Sequence, residues 1–117
     1  MLKSLPELIA QARAKLRCLE AAAALAEAAE NNGLVIDVRE AAEVEQTPVA
    51  GSHNLPRSML EMKIVEQVRD AQQPLYLHCA SGARATLAAE QLQRLGYQQV
   101  TVITCPIDQI QRALANS

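Results

Sequence analysis

Apolar residues recur along this chain as short continuous runs separated by longer amphipathic segments. The runs are typical of strands buried on both faces, and they predict strands at residues 34–38, 75–78 and 100–104. Shorter stretches predict two further strands at residues 16–19 and 52–55. The pattern therefore predicts a sheet of about five strands.

The segments between these strands carry apolar residues at helical spacing. Ser4 is predicted as the N-cap of a first helix, with Pro6 in the first turn and Glu7 as its third residue. Gly96 is expected to end a helix over residues 84–95. Further helical segments are predicted over residues 20–31, 39–45, 58–72 and 107–115.

The alternation of helices and strands predicts an α/β fold, in which helices cover both faces of a mostly parallel central sheet. In such a sheet, chemistry is expected at the carboxyl ends of the strands. Arg39, Cys79 and Cys105 each lie just past a predicted buried strand. We predict one domain over residues 16–117, preceded by a helical extension over residues 1–15.

Composition narrows the classes of function. The 117 residues carry a net charge of −2, two tyrosines and neither phenylalanine nor tryptophan, so we expect no nucleic-acid partner. No apolar run approaches the ~20 residues that span a bilayer, and the N-terminus has no apolar core of a signal peptide, so we expect no membrane contact. Three irregularly spaced cysteines argue against a disulfide framework or a zinc site and indicate a reducing compartment, the cytoplasm.

The sequence CASGAR joins a predicted strand to a predicted helix. Successive N–H groups in a tight loop form an anion-binding nest, and the following helix adds the positive end of its dipole. Both features favour a thiolate, which makes the cysteine a candidate nucleophile, although a buried structural cysteine is common at such positions. The arginine is expected to have an anionic partner, because a helix N-terminus disfavours a cation. The candidate catalytic residue is Cys79, and the candidate substrate-binding loop comprises Ala80, Ser81, Gly82, Ala83 and Arg84.

Four segments together point to a known family. They are LVIDVRE at residues 34–40, NLP at residues 54–56, the loop CASGAR, and ATLAAEQLQRLGY at residues 85–97. With these segments the chain resembles a rhodanese, a single-domain sulfurtransferase, over residues 16–113. Residues 55–64, LPRSMLEMKI, are also similar to a bacterial branch of the family. The resemblance implies a rhodanese-like three-layer fold.

The resemblance also implies a reaction. Cys79 attacks a sulfane-sulfur donor such as thiosulfate, holds the sulfur as a persulfide among the loop N–H groups, and passes it to cyanide, a thiol or a protein acceptor. This chemistry needs no metal and no organic cofactor. The alternative is a low-turnover carrier or binding module that hands sulfur to a partner protein. Four residues separate Cys79 from Arg84, as in sulfurtransferases, whereas the related dual-specificity phosphatases have five. The loop therefore favours sulfur transfer over phosphoryl transfer.

The chain departs from the family pattern in two loops. Residues 47–49 are Thr-Pro-Val where rhodaneses often have Gly-His-Ile. Residues 104–106 are Thr-Cys-Pro where Glu-Gly-Gly is usual, and Ile110 stands where a tryptophan is expected. We expect these changes to alter the small-substrate pocket more than the nucleophile.

The other residues near the predicted site leave alternatives open. Asp37 is interpreted as structural support, because a buried carboxylate is costly unless it is hydrogen-bonded. Arg39 either reaches the donor anion or forms a surface ion pair with Glu40 or Glu43. Cys105 either attacks the Cys79 persulfide as a redox partner, since neighbouring strands lie about 4.8 Å apart, or only fills the space of the missing glycine.

Two further features are interpreted structurally. His78 precedes Cys79, and because adjacent strand residues point to opposite faces, it is expected to be a structural histidine rather than a partner of the thiol. The amphipathic N-terminal helix either packs on the domain or docks a second chain. The sequence does not decide the oligomeric state.

Overall fold

The computed structural model, which describes residues 1–115, contains one sheet of five parallel strands. In chain order the strands are β1 (Arg17–Leu19), β2 (Leu34–Asp37), β3 (His53–Asn54), β4 (Leu75–His78) and β5 (Val100–Ile103). Their order in the sheet is β1-β5-β4-β2-β3, and every neighbouring pair is parallel. The predicted mostly parallel α/β fold is confirmed. Residues 116 and 117, at the end of the predicted domain, lie outside the described residues.

Helices alternate with the strands and cover both faces of the sheet. They are α1 (Leu5–Arg13), α2 (Ala21–Asn31), α3 (Ala41–Gln46), α4 (Leu60–Gln67), α5 (Ala83–Leu95) and α6 (Ile107–Ala115). On one face, α4 and α5 pack over Leu77 and Val102. On the other face, α2 and α6 pack over Tyr76 and Ile103. Residues of β4 and β5 thus alternate between two cores, as expected for central strands.

The N-terminal helix packs on the domain. Ser4 caps α1, since its Oγ accepts a hydrogen bond from the Glu7 N–H at 3.2 Å. Ile9 and Ala12 are buried, and the last turn of α1 lies against α5. The first of the two alternatives for this helix is therefore observed. Within residues 1–115, no helix has the length and apolar character needed to cross a bilayer.

Several predicted boundaries differ from the observed ones, and two of the differences have a clear physical reason. α4 ends at Gln67 instead of residue 72, because Val68 adopts an extended conformation and Asp70 forms a turn in which its Oδ1 accepts the Gln72 N–H at 2.9 Å. The strand predicted at 52–55 is reduced to His53–Asn54 at the edge of the sheet. At Asp70 a side-chain hydrogen bond to the backbone competes with the helix, whereas β3 is short because it has a partner on one side only.

Candidate active site

Cys79 lies at the carboxyl end of β4, immediately before α5. Its side chain is buried, and its Sγ accepts hydrogen bonds from the backbone N–H groups of Gly82, at 3.0 Å, and Ala85, at 3.4 Å. Both donors belong to the turn that starts α5, so the positive end of the helix points at the sulfur. This arrangement stabilises negative charge on the Cys79 sulfur.

Gly82 allows the loop to turn this tightly. Its φ is +96°, a conformation that L side chains rarely adopt. The carbonyl of Gly82 accepts hydrogen bonds from the Thr86 N–H at 3.0 Å and from Thr86 Oγ1 at 2.7 Å. Thr86, which no sequence motif indicated, thus fixes the loop from the first turn of α5.

The rest of the loop faces two directions. Ala80 is tied to α6, because its carbonyl accepts the Ile107 N–H at 3.0 Å. Ser81 is exposed and Ala83 is half-buried, and both line a groove against α1. The loop therefore presents Ser81 and Ala83 to α1, while Cys79 itself stays buried.

Arg84 has the anionic partner that its position predicts. Its Nη1 and Nη2 bind Glu43 Oε1 and Oε2 at 2.5 and 2.9 Å. The hydrogen bond from Arg84 lowers the pKa of Glu43 to about 2. The pKa of Arg84 is raised, mainly by Glu43, with a smaller contribution from the charge of Cys79. Glu43 is fixed in turn by a capping box with Glu40 at the start of α3.

Asp37 and Arg39 form a buried ion pair beside the loop. Arg39 Nη2 lies 2.8 Å from Asp37 Oδ2, and Asp37 Oδ1 also accepts the Arg39 backbone N–H at 3.0 Å. Arg39 Nη2 donates a second bond to the Thr47 carbonyl at 2.7 Å. Of the two alternatives left open for Arg39, the surface ion pair with Glu40 or Glu43 is wrong, because only 2% of Arg39 is exposed and its carboxylate partner is Asp37.

Asn54, the first residue of the NLP segment, has a structural role next to the site. Its Nδ2 donates to the carbonyls of Asp37, at 2.9 Å, and Arg39, at 2.8 Å. The side chain thus holds the chain where β2 ends and turns toward α3. The sequence analysis used this segment only as a mark of resemblance.

Cys105 does not lie with Cys79. β4 and β5 pair with Leu77 opposite Val102, which aligns Cys79 with Thr104 and leaves Cys105 one residue further on. Since side chains alternate along a strand, the two thiols enter the cores on opposite faces of the sheet. Cys105 Sγ accepts the Ala21 N–H at 3.2 Å, at the N-terminus of α2.

His78 is fully buried beside this region. Its Nε2 lies 2.8 Å from Ser52 Oγ, and its Nδ1, which is 4.0 Å from Asp37 Oδ1, has no hydrogen-bond partner in the described part of the chain. Burial lowers the pKa of His78 to about 4, although the charge of Asp37 opposes the shift. The histidine is therefore a neutral part of the interior near neutral pH.

Arg13 is the neighbour of the loop that the sequence analysis missed. Its Nε donates to Thr86 Oγ1 at 3.1 Å, and its Nη2 lies 2.8 Å from the position that a Cβ on residue 82 would occupy. No local motif around α1 signals this contact, because the two residues that meet are 73 positions apart in the chain.

Known proteins resemble this chain in sequence and in structure. The protein "Uncharacterized protein YqhL" from Bacillus subtilis (strain 168) is 35% identical over 66 residues, which are 56% of this chain. The match spans about half, 51%, of that relative's length. A protein of unknown function and possible tyrosine phosphatase, RPA3614 from Rhodopseudomonas palustris CGA009, superposes with a TM-score of 0.79 at 23% identity, covering 97% of this chain and 92% of that one. At that identity the likeness concerns the fold alone.

A rhodanese from E. coli, solved with anions, superposes with a TM-score of 0.60. It is 28% identical and covers 65% of this chain and 89% of its own. The family model of the rhodanese-like domain matches residues 20–113, which run from the start of α2 into α6 and include the Cys79 loop. The chain belongs to the rhodanese-like domain family.

Proposed function

We propose that the protein is a sulfurtransferase that moves sulfane sulfur from a thiosulfate-like donor to a thiophilic acceptor through a persulfide on Cys79. The observation that carries the proposal is the pair of backbone N–H groups, from Gly82 and Ala85, that point at Cys79 Sγ. They stabilise a thiolate before the reaction and the anionic outer sulfur afterwards. Membership of the rhodanese-like family and the likeness to the E. coli rhodanese support the same chemistry.

The reaction has two half-steps. The Cys79 thiolate attacks the outer sulfur of the donor, a new S–S bond forms, and the donor's own S–S bond breaks with its electron pair leaving on sulfite. The acceptor then attacks the outer sulfur of the persulfide and regenerates the thiolate. Both half-steps are nucleophilic displacements at sulfur that consume no external oxidant or reductant, so the proposal needs neither a metal nor an organic cofactor.

Intact mass after incubation with thiosulfate tests the proposal. We expect the wild-type chain to gain one sulfur atom and Cys79→Ala to gain none. Cys105→Ser is the matched control, since it removes the other buried thiol, and it should gain sulfur like the wild type. If the wild-type chain gains no sulfur from any of three donors, namely thiosulfate, an organic thiosulfonate and polysulfide, the proposal is contradicted.

A low-turnover sulfur carrier is the second candidate. The Arg84–Glu43 pair favours it, because the carboxylate neutralises the cation that would otherwise attract an inorganic donor. Turnover with cyanide measured against transfer to a protein thiol separates the two. A carrier loads fully but releases sulfur rapidly only to the protein acceptor.

A further inference from the structure

Arg84, the last residue of the Cys79 loop, and Arg13, which lies against the loop, differ in their partners. Arg84 is neutralised by Glu43 through two hydrogen bonds. Arg13, at the end of α1, donates to the uncharged Thr86 hydroxyl and forms no ion pair with any side chain among residues 1–115. The uncompensated positive charge beside the loop is therefore that of Arg13, which lies outside the stretch that the family model matches.

A groove extends from Arg13 along α1. It has a volume of about 630 Å³ and lies between α1 and the loop. Its walls are Leu5, Pro6, Ile9 and Ala10 on α1, and Ser81 and Ala83 on the loop. Leu5 is 58% exposed, so the apolar wall is open to a ligand. The groove is larger than an inorganic anion needs and falls in the range of pockets that hold organic molecules.

We propose that this groove binds the apolar group of an organic sulfur anion, such as an aryl thiosulfonate, and that Arg13 holds the anionic end of that donor beside the Cys79 loop. Charge complementarity supports an anion, because the cation at the end of the groove has no carboxylate partner within residues 1–115. The apolar wall on α1 supports a donor that carries an organic group in place of one of the sulfonate oxygens of thiosulfate. α1 thus gives this chain a specificity element for its sulfur donor.

The inference rests on the proposed sulfur transfer for its chemistry. The Cys79 thiolate attacks the terminal sulfur of the thiosulfonate, the Cys79–sulfur bond forms, and the bond between the two sulfurs of the donor breaks. The leaving group is the sulfinate, which departs with the electron pair. The charges balance, and no oxidant or reductant is consumed.

Binding is tested first, without chemistry. Benzenesulfonate, an unreactive analogue, is titrated into the Cys79→Ser protein while backbone amide NMR signals are recorded. We expect saturable shifts over residues 5–13 and 81–83, and an affinity about tenfold weaker in the Cys79→Ser protein that also carries Arg13→Gln. Arg13→Lys should recover part of the affinity, because it keeps the charge. Absence of shifts in α1 overturns the proposal.

Kinetics test the specificity. Leu5→Ser should lower kcat/KM for benzenethiosulfonate about threefold to tenfold more than it lowers kcat/KM for thiosulfate. Leu8→Ser is the matched control, since Leu8 is also an exposed leucine of α1 but does not line the groove. An unchanged ratio between the two donors in Leu5→Ser, or an equal change in Leu8→Ser, overturns the proposal.

The two proposals fail in different ways. If Cys79 takes sulfur from no donor while benzenesulfonate still binds along α1, the groove is a ligand site and sulfur transfer is wrong. If Cys79 loads from both donors while Leu5→Ser leaves their ratio unchanged, sulfur transfer stands and the groove proposal is wrong.

Discussion

Glu43 of α3 and Arg84 at the end of the Cys79 loop form a two-bond ion pair, with N–O distances of 2.5 and 2.9 Å. The pair joins two segments 41 residues apart and sets the charge beside the nucleophile. Because the pKa of Glu43 is about 2, its carboxylate stays ionised and neutralises Arg84 throughout the physiological pH range. In the proposed reaction, a small dianionic donor such as thiosulfate would share Arg84 with this carboxylate.

Glu43→Gln is therefore expected to increase the rate of Cys79 persulfide formation from thiosulfate. The increase should be about two- to fivefold, since an ion pair this exposed is worth only about 0.2–1 kcal/mol. Glutamine keeps the capping box with Glu40, so α3 should stay intact. The measurement is the initial rate of sulfur gain followed by quenched-flow mass spectrometry.

Glu45→Gln is the control for this change. Glu45 is an exposed residue of the same helix, so the substitution alters net charge equally without touching Arg84. We expect it to leave the rate near that of the wild type. Equal rates in the two variants would show that Glu43 does not restrain Arg84.

Gly82→Ala should impair the nucleophile. The added Cβ would lie 2.8 Å from Arg13 Nη2 and 3.3 Å from the Thr104 carbonyl oxygen, at a φ of +96°. The Arg13 guanidinium can move away, but the positive φ and the Thr104 backbone disfavour a side chain here, so we expect the loop to shift and the N–H of residue 82 to turn away from Cys79 Sγ. We expect persulfide formation to slow about tenfold or more, since small displacements of reacting groups have effects of this size.

Gly51→Ala separates backbone strain from damage to the site. Gly51 also has a positive φ, +80°, but a Cβ there meets nothing within 4 Å. We expect this variant to lose about 1–2 kcal/mol of unfolding free energy and to form the persulfide at the wild-type rate. A similar loss of rate in both variants would mean that global destabilisation causes the defect.

Asp37→Asn should destabilise the fold strongly, because it leaves the guanidinium of Arg39 buried without its counter-charge. Breaking one half of a buried pair costs about 3–5 kcal/mol. The measurement is the free energy of unfolding in urea. Glu61→Gln, which breaks the exposed pair of Arg57 and Glu61, should cost under about 1 kcal/mol. Similar losses in the two variants would contradict the buried role of the first pair.

Asn54→Ala removes both hydrogen bonds that its side chain donates to the backbone where β2 ends. We expect a loss of about 1–3 kcal/mol of unfolding free energy, because the two carbonyls lose a partner in a partly buried place. His53→Ala is the matched control, since His53 occupies the same short strand but is exposed. If both variants unfold at the same urea concentration, Asn54 does not hold this turn.

The local pattern of apolar and polar residues along the chain predicted most of the fold. Three apolar runs gave the buried strands to within one residue, because a strand covered on both faces is mostly apolar along its whole length. The ends of α4 and β3 were less predictable. There, the Asp70 turn and the edge position of β3 determine where regular structure stops, and neither follows from hydrophobic spacing.

The candidate site was predictable only where its residues are neighbours in the sequence. The loop from Cys79 to Arg84 is one continuous segment, so its turn, its glycine and its helix could be read together. The contacts of Arg13 with Thr86 and of Glu43 with Arg84 depend on how distant helices pack. The placement of Cys105 depended on a register of one residue between β4 and β5, which apolar runs do not specify.

His78 should make stability depend on pH in a defined window. Its pKa is about 4 in the folded protein, mainly through burial, with Asp37 and Arg39 as the charged groups that act on it. In the unfolded chain a histidine titrates near 6.5. Between these values the unfolded state binds more protons, so unfolding free energy is constant above pH 6.5 and falls as the pH drops toward 4. The total loss is about 3 kcal/mol.

The pH range over which the unfolding free energy falls identifies the residue that causes the loss. Glu27 and Glu43 have pKa values of about 2, so their loss of stabilisation begins only below about pH 5.5, and urea unfolding between pH 7 and about 5.5 reports mainly the titration of His78. His78→Gln removes the titration and should give a nearly flat profile there, whatever its absolute stability. His53→Gln removes an exposed imidazole and should keep the wild-type slope. A wild-type slope in His78→Gln would mean that another group takes up the proton on unfolding.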